Sequence, residues 1–182
     1  MDEKTVIKGI CEGNRAALGL LWEAYSAKVL NLAFRMLKDR DRAEDILMDV
    51  FVEIPRAIHS FKFKSSLGTW LYRLAINECL MTLRKEKRHR ELEELNLDTI
   101  VEQALGTGED AGTESFDPEL LSLGMNALPA ETRSMLWLKD AEDLDVKDLA
   151  EIYGMPEGTI KARLSRARHF VRNYLKERKQ GA

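Results

Sequence analysis

The fold of this chain is decided by the stretch from Met155 to Arg168, which reads MPEGTIKARLSRAR. Pro156 suits the first position of a helix, where its missing N–H costs nothing. From Ile160 onward the apolar residues recur at helical spacing, at Leu164, Ala167, Val171, Tyr174 and Leu175. This spacing predicts a long amphipathic helix that buries the apolar stripe.

A shorter helix is predicted immediately upstream, from Val146 to Tyr153, with Gly154 at a tight turn. The pair is typical of a helix-turn-helix, whose second helix lies in the major groove of DNA. At 100° per residue, the face opposite the apolar stripe carries Ala162, Ser165, Arg166 and His169. One flank of the stripe carries Thr159 and Arg163, and the other carries Lys161, Arg168 and Arg172.

The same segment is strongly basic, with eight Lys or Arg and two Glu between Pro156 and Ala182. An excess of this size attracts phosphates. A basic run by itself is more often the solvated face of a helix. Together with the short upstream helix and the glycine turn, it favours DNA binding.

Charge is segregated along the 182 residues, although the net charge is only −3. Lys62 to Arg90 holds eight basic and two acidic residues, whereas Glu91 to Glu119 holds ten acidic residues and no basic one. Such blocks indicate separate surfaces for separate partners. With 45% hydrophobic and 32% charged residues, the composition is that of a globular chain.

Catalytic and metal-binding patterns are missing from the sequence. Cys11 and Cys79 form neither a metal-ligand pattern nor a disulfide framework. His59, His89 and His169 stand apart, without a neighbouring nucleophile or carboxylate pair. We therefore expect no enzyme activity, cofactor or metal. Because the sequence contains no signal peptide or long apolar run, we also expect no membrane insertion and a cytoplasmic location.

The periodicity predicts an all-α fold of two helical domains, residues 1–90 and 119–182, joined by an acidic linker, residues 91–118. In the first domain, apolar spacing predicts a helix through Leu21 and Met36, and a second helix from an N-cap at Asp41 to a kink or end at Pro55. A third helix is predicted from about Leu67 to beyond Leu83.

An acidic stripe follows one face of the second predicted helix, where Asp45, Asp49 and Glu53 recur every four residues and Glu44 lies beside them. Acidic stripes are usually solvated faces. The functional alternative is a docking surface for a basic partner protein, and the sequence pattern leaves both interpretations open.

An unusual loop follows that helix, in which Phe61 and Phe63 alternate with Lys62 and Lys64, and Trp70, Tyr72 and Arg73 come soon after. Aromatic rings beside lysines stack unpaired bases while the lysines hold the backbone. At least half of these rings, Phe61 and Trp70 first, fit equally well as core residues. The Ser65–Ser66 pair suits a helix cap, a phosphate contact, or both.

Two sets of motifs resemble the extracytoplasmic-function sigma factors of the sigma-70 family. Region 2 of that family is similar to LWEAY at 21–25, DRAEDI at 41–46 and SSLGTWLYRLAIN at 65–77. Region 4 is similar to ALPAETR at 127–133 and GTIKARLSRAR at 158–168. The two sets occur in the family's order, so the resemblance is far more specific than a helix-turn-helix alone.

The resemblance implies a dissociable subunit of bacterial RNA polymerase that recognises promoter DNA. Glu44, Asp45 and Asp49 match the part of region 2 that docks on the clamp helices of the largest core subunit. The part that melts the −10 element and captures flipped-out bases is matched by Phe61, Lys62, Phe63, Lys64, Ser65, Ser66, Trp70, Arg73 and Asn77. Positions that meet the −35 element are matched by Lys139, Thr159, Lys161, Arg163 and Arg166. The resemblance also implies contact with the flap of the second core subunit, and an anti-sigma factor.

Some residues depart from the family's pattern. Leu67 and Gly68 stand where an aromatic and a basic residue are usual, and Pro55 stands where a large aromatic is common. Asp143 and Asp145 replace glycine and serine, and Ala162 replaces serine. We expect these departures to affect promoter preference and not the fold.

Two other functional classes remain as alternatives. One is a stand-alone helix-turn-helix repressor or activator that dimerises on operator DNA, and the other is a small helical enzyme or scaffold. The first domain discriminates a sigma factor from the regulator, because a stand-alone regulator needs neither an acidic docking stripe nor an aromatic, basic loop. The missing catalytic residues disfavour the enzyme or scaffold.

Overall fold

The computed structural model describes residues 2–90 and 118–180, and within these residues every regular element is a helix. The first part contains α1 (Glu3–Cys11), α2 (Arg15–Leu37), α3 (Arg40–Ala57), a 3-10 turn (Ile58–Ser60) and α4 (Leu67–Arg90). The second part contains α5 (Pro118–Asn126), α6 (Ala130–Asp140), α7 (Val146–Tyr153) and α8 (Glu157–Gln180). The all-α prediction is confirmed. The predicted linker lies outside the described residues, except for Pro118, which begins α5.

The chain forms two compact units, the first of which extends to Glu86. In this unit α2 packs against both α1 and α3. The apolar stripe predicted for α2 is confirmed at Leu21, Val29, Leu32 and Met36, which are all buried. Arg42 near the start of α3 forms an ion pair with Glu86 near the end of α4, which ties these two helices together.

The ends of α3 differ in detail from the prediction. Asp39, and not Asp41, is the N-cap, because its carboxylate accepts a hydrogen bond from the Arg42 N–H at 3.1 Å. Asp41 lies in the first turn, where a negative charge also faces the positive end of the helix dipole. At the other end, α3 continues for two residues beyond Pro55 and then tightens into the 3-10 turn. The helix therefore continues through Pro55 and ends two residues after the predicted break.

In the second unit, α5 and α6 both pack against α8. The core includes Met135, Leu138, Leu149, Ile160, Ala167 and Leu175, which are fully buried. Arg133 of α6 is also buried, and its guanidinium donates to the carbonyl oxygens of Asn126 and Leu128 at 3.2 and 2.9 Å. This arginine therefore donates to carbonyl groups at and just beyond the end of α5, where helix carbonyls lack partners within the helix.

Gly9 allows α1 to lie close to α2. A Cβ atom added at Gly9 would lie 2.7 Å from the Cβ of Ala17, an atom that cannot move without its backbone. Gly19 in α2 offers a contrast, because a Cβ there would meet no atom within 4 Å.

These two glycines generate a matched prediction. Gly9→Ala should destabilise the fold by about 1–3 kcal/mol through overpacking, despite the better helix propensity of alanine. Gly19→Ala should stabilise the fold by roughly 0.5–1 kcal/mol, because only the propensity changes. Urea unfolding followed by circular dichroism measures both. Shifts of the same sign for the two variants would contradict the close approach of α1 and α2.

Candidate nucleic-acid interface

The helix-turn-helix predicted from the sequence is formed by α7 and α8. Gly154 joins the two helices in the left-handed conformation, with φ of +64°. Five residues of the predicted α8 stripe are buried, namely Ile160, Leu164, Ala167, Val171 and Leu175, while Tyr174 is half-buried. The opposite face of α8 is consequently turned away from the core.

The turn before α7 accommodates two of the departures from the family's pattern. Asp143 has φ of +52°, a conformation that favours glycine but that aspartate tolerates better than most residues. Asp145 caps α7, since its Oδ1 accepts a hydrogen bond from the Asp148 N–H at 2.7 Å. A carboxylate thus fills the capping role that serine also performs.

The residues predicted to contact DNA in the second unit differ in their exposure and in their contacts within the protein. Lys161 is exposed, while Thr159, Arg166 and Lys139 are half-exposed. The Nε of Arg166 donates to the carbonyl oxygen of Ala162 at 3.3 Å, within α8 itself. Arg163 is held differently, because its Nη1 lies 2.9 Å from Oε2 of Glu131 in α6.

In the first unit, the aromatic loop divides into buried and exposed rings. Phe61 and Trp70 are buried, and their centroids lie 5.7 Å apart in an edge-to-face arrangement. Phe63 packs on Phe61 with a centroid separation of 5.0 Å and is still 57% exposed. Lys62 and Lys64 on either side of Phe63 are exposed. The loop therefore exposes one aromatic ring and two ammonium groups to solvent, and the exposed ring packs on the buried Phe61.

Phe63 also has an uncommon backbone conformation, with φ of +53°. Bulky residues rarely adopt the left-handed region, and such strain is concentrated at binding and catalytic sites. The conformation therefore marks Phe63 as a candidate for a binding role.

Ser66 caps α4. Its Oγ accepts a hydrogen bond from the Thr69 N–H at 3.0 Å and forms a second one with the Thr69 hydroxyl at 2.8 Å. Ser65 is half-exposed beside it. Of the two roles suggested by the sequence, helix capping is therefore present at Ser66.

The two unusual residues at the start of α4 serve packing. Leu67 is fully buried. A Cβ added at Gly68 would lie 2.9 Å from the hydroxyl oxygen of Tyr25, so glycine makes room for this ring. Burial raises the pKa of Tyr25 above its ordinary value.

The outer face of α4 is basic over most of its length. Arg73 and Asn77 are exposed, and so are Met81, Arg84 and Arg88. At 100° per residue these five positions share an arc of about 80°, and they span about 22 Å at 1.5 Å per residue. The opposite face carries Cys79, and burial raises the pKa of its thiol to about 12. The site residues predicted from the sequence reach along this surface only as far as Asn77.

The acidic stripe of α3 contains apolar residues that the sequence analysis missed. Glu44, Asp45 and Asp49 are exposed as expected. Between them, however, Met48 is 54% and Val52 is 74% exposed. A solvated acidic face does not require large exposed apolar groups, whereas protein interfaces combine apolar centres with charged rims. The mixture favours the docking interpretation.

Metal sites and membrane-spanning helices are absent from the part of the chain that the structure describes. Across residues 2–90 and 118–180 no group of three or more His, Cys, Asp or Glu side chains lies close enough to hold a metal ion. Nor does any helix in the described part combine the length and the apolar character that a membrane crossing needs.

Comparison with known proteins agrees with this geometry. Residues 21–89 match the family described as Sigma-70 region 2, and residues 119–170 match Sigma-70, region 4. The chain belongs to the sigma-70 family. It is 28% identical over 180 residues to the ECF RNA polymerase sigma-E factor of Haemophilus influenzae, with 95% of each chain covered. It is 29% identical over 181 residues to the ECF RNA polymerase sigma factor SigW of Bacillus subtilis, covering 96% of this chain and 97% of the relative.

Solved structures extend the comparison. The sigma factor RpoE of Bartonella quintana, crystallised with the anti-sigma factor NepR, has a TM-score of 0.67 and 25% identity, covering 87% of this chain and 96% of that one. CnrH, solved with the cytosolic domain of CnrY, shares the fold with a TM-score of 0.67 at 17% identity. The chain is therefore an extracytoplasmic-function sigma factor, which directs RNA polymerase to promoters and initiates transcription.

The cap of α4 gives a prediction for this sigma factor. Ser66→Ala should lower the free energy of unfolding by about 1 kcal/mol, because the Thr69 N–H loses its partner. Ser65→Ala, one residue away, should change it by less than about 0.5 kcal/mol. Chemical unfolding of both variants checks the difference, and equal losses would show that Ser66 does not cap α4.

Proposed function

We propose that the two units of this sigma factor divide promoter recognition between them. The first unit docks on core RNA polymerase through α3 and opens the −10 element with the Phe61–Ser66 loop and α4. The second unit binds the −35 element with α8. The observation that supports this division most strongly is Phe63, an exposed and strained ring between two exposed lysines at the start of a basic helix face. A stand-alone regulator has no use for such a loop.

Docking on the polymerase is assigned to the outer face of α3. Asp45 and Asp49 supply negative charge, and Met48 and Val52 supply apolar surface between and beside them. This composition suits a partner helix with basic residues around an apolar strip. The family resemblance suggests the clamp helices of the largest core subunit as that partner. Complementary charge of this kind speeds association and selects the partner.

Reversing the charge of this face should weaken docking. Asp45→Lys with Asp49→Lys should lower the affinity for core polymerase by about tenfold or more, since attraction is replaced by repulsion. Helix content and thermal unfolding should stay close to wild type, because both carboxylates are exposed.

A matched control carries the same change of charge elsewhere in the unit, at Glu12→Lys with Glu23→Lys, two other exposed positions. Fluorescence titration of core polymerase at several salt concentrations measures all three proteins. Equal affinities for the two double variants would contradict docking through α3.

Promoter opening is assigned to the loop and the outer face of α4. Phe63 is placed to stack on an unpaired base, with Lys62 and Lys64 beside it to hold the backbone. Phe61 and Trp70 lie beneath Phe63 and support it, so their contribution to DNA binding is indirect. Arg73, Asn77, Arg84 and Arg88 continue the same surface along α4 and suit the phosphates of the adjoining DNA.

Removing the exposed groups of the loop should slow opening. Base stacking on an aromatic ring is worth about 1–3 kcal/mol, so Phe63→Ala with Lys64→Ala should reduce the opening rate by about tenfold or more. Binding of the holoenzyme to closed promoter DNA should change much less. Permanganate footprinting against time measures the opening rate.

The control for this variant is Phe34→Ala with Lys4→Ala, which removes another exposed ring and another exposed lysine from the same unit. It should open promoters at the wild-type rate. Normal opening by the loop variant, or equal slowing by the control, would refute the proposed role of the loop.

Binding of the −35 element is assigned to α8, with the exposed Lys161 near its start as the base reader and Arg166 on its outward face. Thr159 and Lys139 are half-exposed and suit phosphate contacts. A side chain that reads a base edge discriminates by about 1–3 kcal/mol, whereas a phosphate contact is insensitive to sequence.

Lys161→Ala should therefore change the preference among −35 sequences, while Lys139→Ala should weaken binding to all of them by a similar factor. Transcription by the holoenzyme from a library of −35 variants measures both effects. The same uniform loss for both variants would show that Lys161 only positions the helix.

Two further partners complete the proposal. The exposed Leu121 and Leu123 of α5 suit an apolar surface on a partner, and the family resemblance suggests the flap of the second core subunit as that partner. The relative from Bartonella quintana was solved with an anti-sigma factor, and we assign an anti-sigma partner to this chain as well. We assign the action of this sigma factor to the cytoplasm, where RNA polymerase works.

A further inference from the structure

Two ion pairs join the recognition helix α8 to α6. Nη1 of Arg163 lies 2.9 Å from Oε2 of Glu131, and these side chains are only 24% and 30% exposed. Nη2 of Arg168 lies 2.7 Å from Oδ1 of Asp140, with side chains 32% and 50% exposed. The two acidic residues stand near the opposite ends of α6. Two arginines of the basic helix are therefore engaged within the protein.

The positions of the two arginines on α8 give the pairs a mechanical consequence. Arg163 and Arg168 are five residues apart and thus about 140° apart around the helix. They flank the buried stripe of Ile160, Leu164 and Ala167, one on each side. A rotation of α8 about its own axis in either direction would therefore lengthen at least one of the pairs.

We propose that Glu131 and Asp140 are positioning residues that fix the rotation of α8, and that Arg163 and Arg168 serve as their anchors and not as DNA contacts. This inference rests on the proposed binding of the −35 element by α8. It removes Arg163 from the set of residues that meet DNA and leaves that role to Arg166 on the outward face and to the exposed Lys161 at its edge.

A small rotation would be enough to matter. Side chains end roughly 6 Å from the axis of a helix, so a rotation of about 20° moves their ends by about 2 Å. Hydrogen bonds to base edges need donor–acceptor distances of about 2.7–3.2 Å. Loss of either pair should therefore reduce discrimination between −35 sequences even though no residue of the outward face has changed.

The test is a charge exchange in the full-length protein bound to core polymerase. Glu131→Gln and Arg163→Ala should each lower the discrimination between the preferred and a mismatched −35 sequence by about fivefold. The double variant Glu131→Arg with Arg163→Glu should bring it back to within about twofold of wild type. Residues in direct contact show such non-additive behaviour, whereas a DNA-contacting arginine replaced by glutamate would be repelled by phosphates.

A second pair and an independent readout keep the inference testable if one single variant folds poorly. Asp140→Asn should act like Glu131→Gln, with a smaller effect because this pair is more exposed. In addition, a double-mutant cycle of Glu131→Gln and Arg163→Ala, measured by urea unfolding in the absence of DNA, should show a favourable coupling free energy between the two residues.

The opposing results are distinct. If Arg163 leaves Glu131 to bind DNA, Glu131→Gln should bind promoters more tightly than wild type and the charge exchange should not restore discrimination; either result overturns the inference.

Lys161→Ala and Arg166→Ala are run alongside. If they change the −35 preference while the Glu131 and Asp140 variants do not, only the inference fails. If none of these variants changes it, the proposed −35 function of α8 fails as well.

Discussion

Burial of one apolar stripe on each long helix is the constraint on which the rest of this structure depends. On α8 the buried residues Ile160, Leu164 and Ala167 hold the helix against α5 and α6 and turn its basic side outward. On α3 the buried residues Ile46, Val50 and Ile54 leave the acidic face to solvent. Because a helix has 3.6 residues per turn, the choice of core residues decides which polar residues are available for binding. Changes in the core of either unit would therefore alter the orientation of the residues on its binding surface.

The surfaces that result differ in chemistry, as their partners require. The face of α3 combines carboxylates with Met48 and Val52, which suits another protein. The outer face of α4 carries guanidinium groups and the loop before it carries the exposed ring of Phe63, a combination that suits DNA whose bases are unpaired. Phe63, whose backbone has a positive φ, packs on the buried Phe61, which in turn packs on the buried Trp70. In the second unit, ion pairs between α6 and α8 occupy two arginines, so a high density of positive charge is not the same as a high density of DNA contacts.

Much of this arrangement could be predicted from the sequence, because it depends on local periodicity. The long helices, the helix-turn-helix and the exposed acids of α3 follow from residues within a few turns of one another. Contacts between distant residues could not be predicted in this way. Glu131 and Arg163 are 32 residues apart, and nothing in the local pattern pairs them. The space that Gly68 leaves for Tyr25 and the positive φ of Phe63 likewise depend on the folded chain. Even the cap of α3 was misplaced by two residues, since both Asp39 and Asp41 have the right chemistry.

The central claim is that promoter specificity belongs to the complex with core polymerase and not to the free chain. Each unit offers DNA only a small surface, since a single module buries about 600–1,000 Å² of protein, and the acidic segment between the units carries the same sign of charge as DNA. The most direct test is a gel-shift series on one promoter, with the sigma factor alone and with core polymerase added. The account predicts weak binding without sequence preference for the free protein, and sequence-specific complexes only when core polymerase is present. Tight, sequence-specific binding by the free protein, above all as a dimer on a palindromic site, would contradict it.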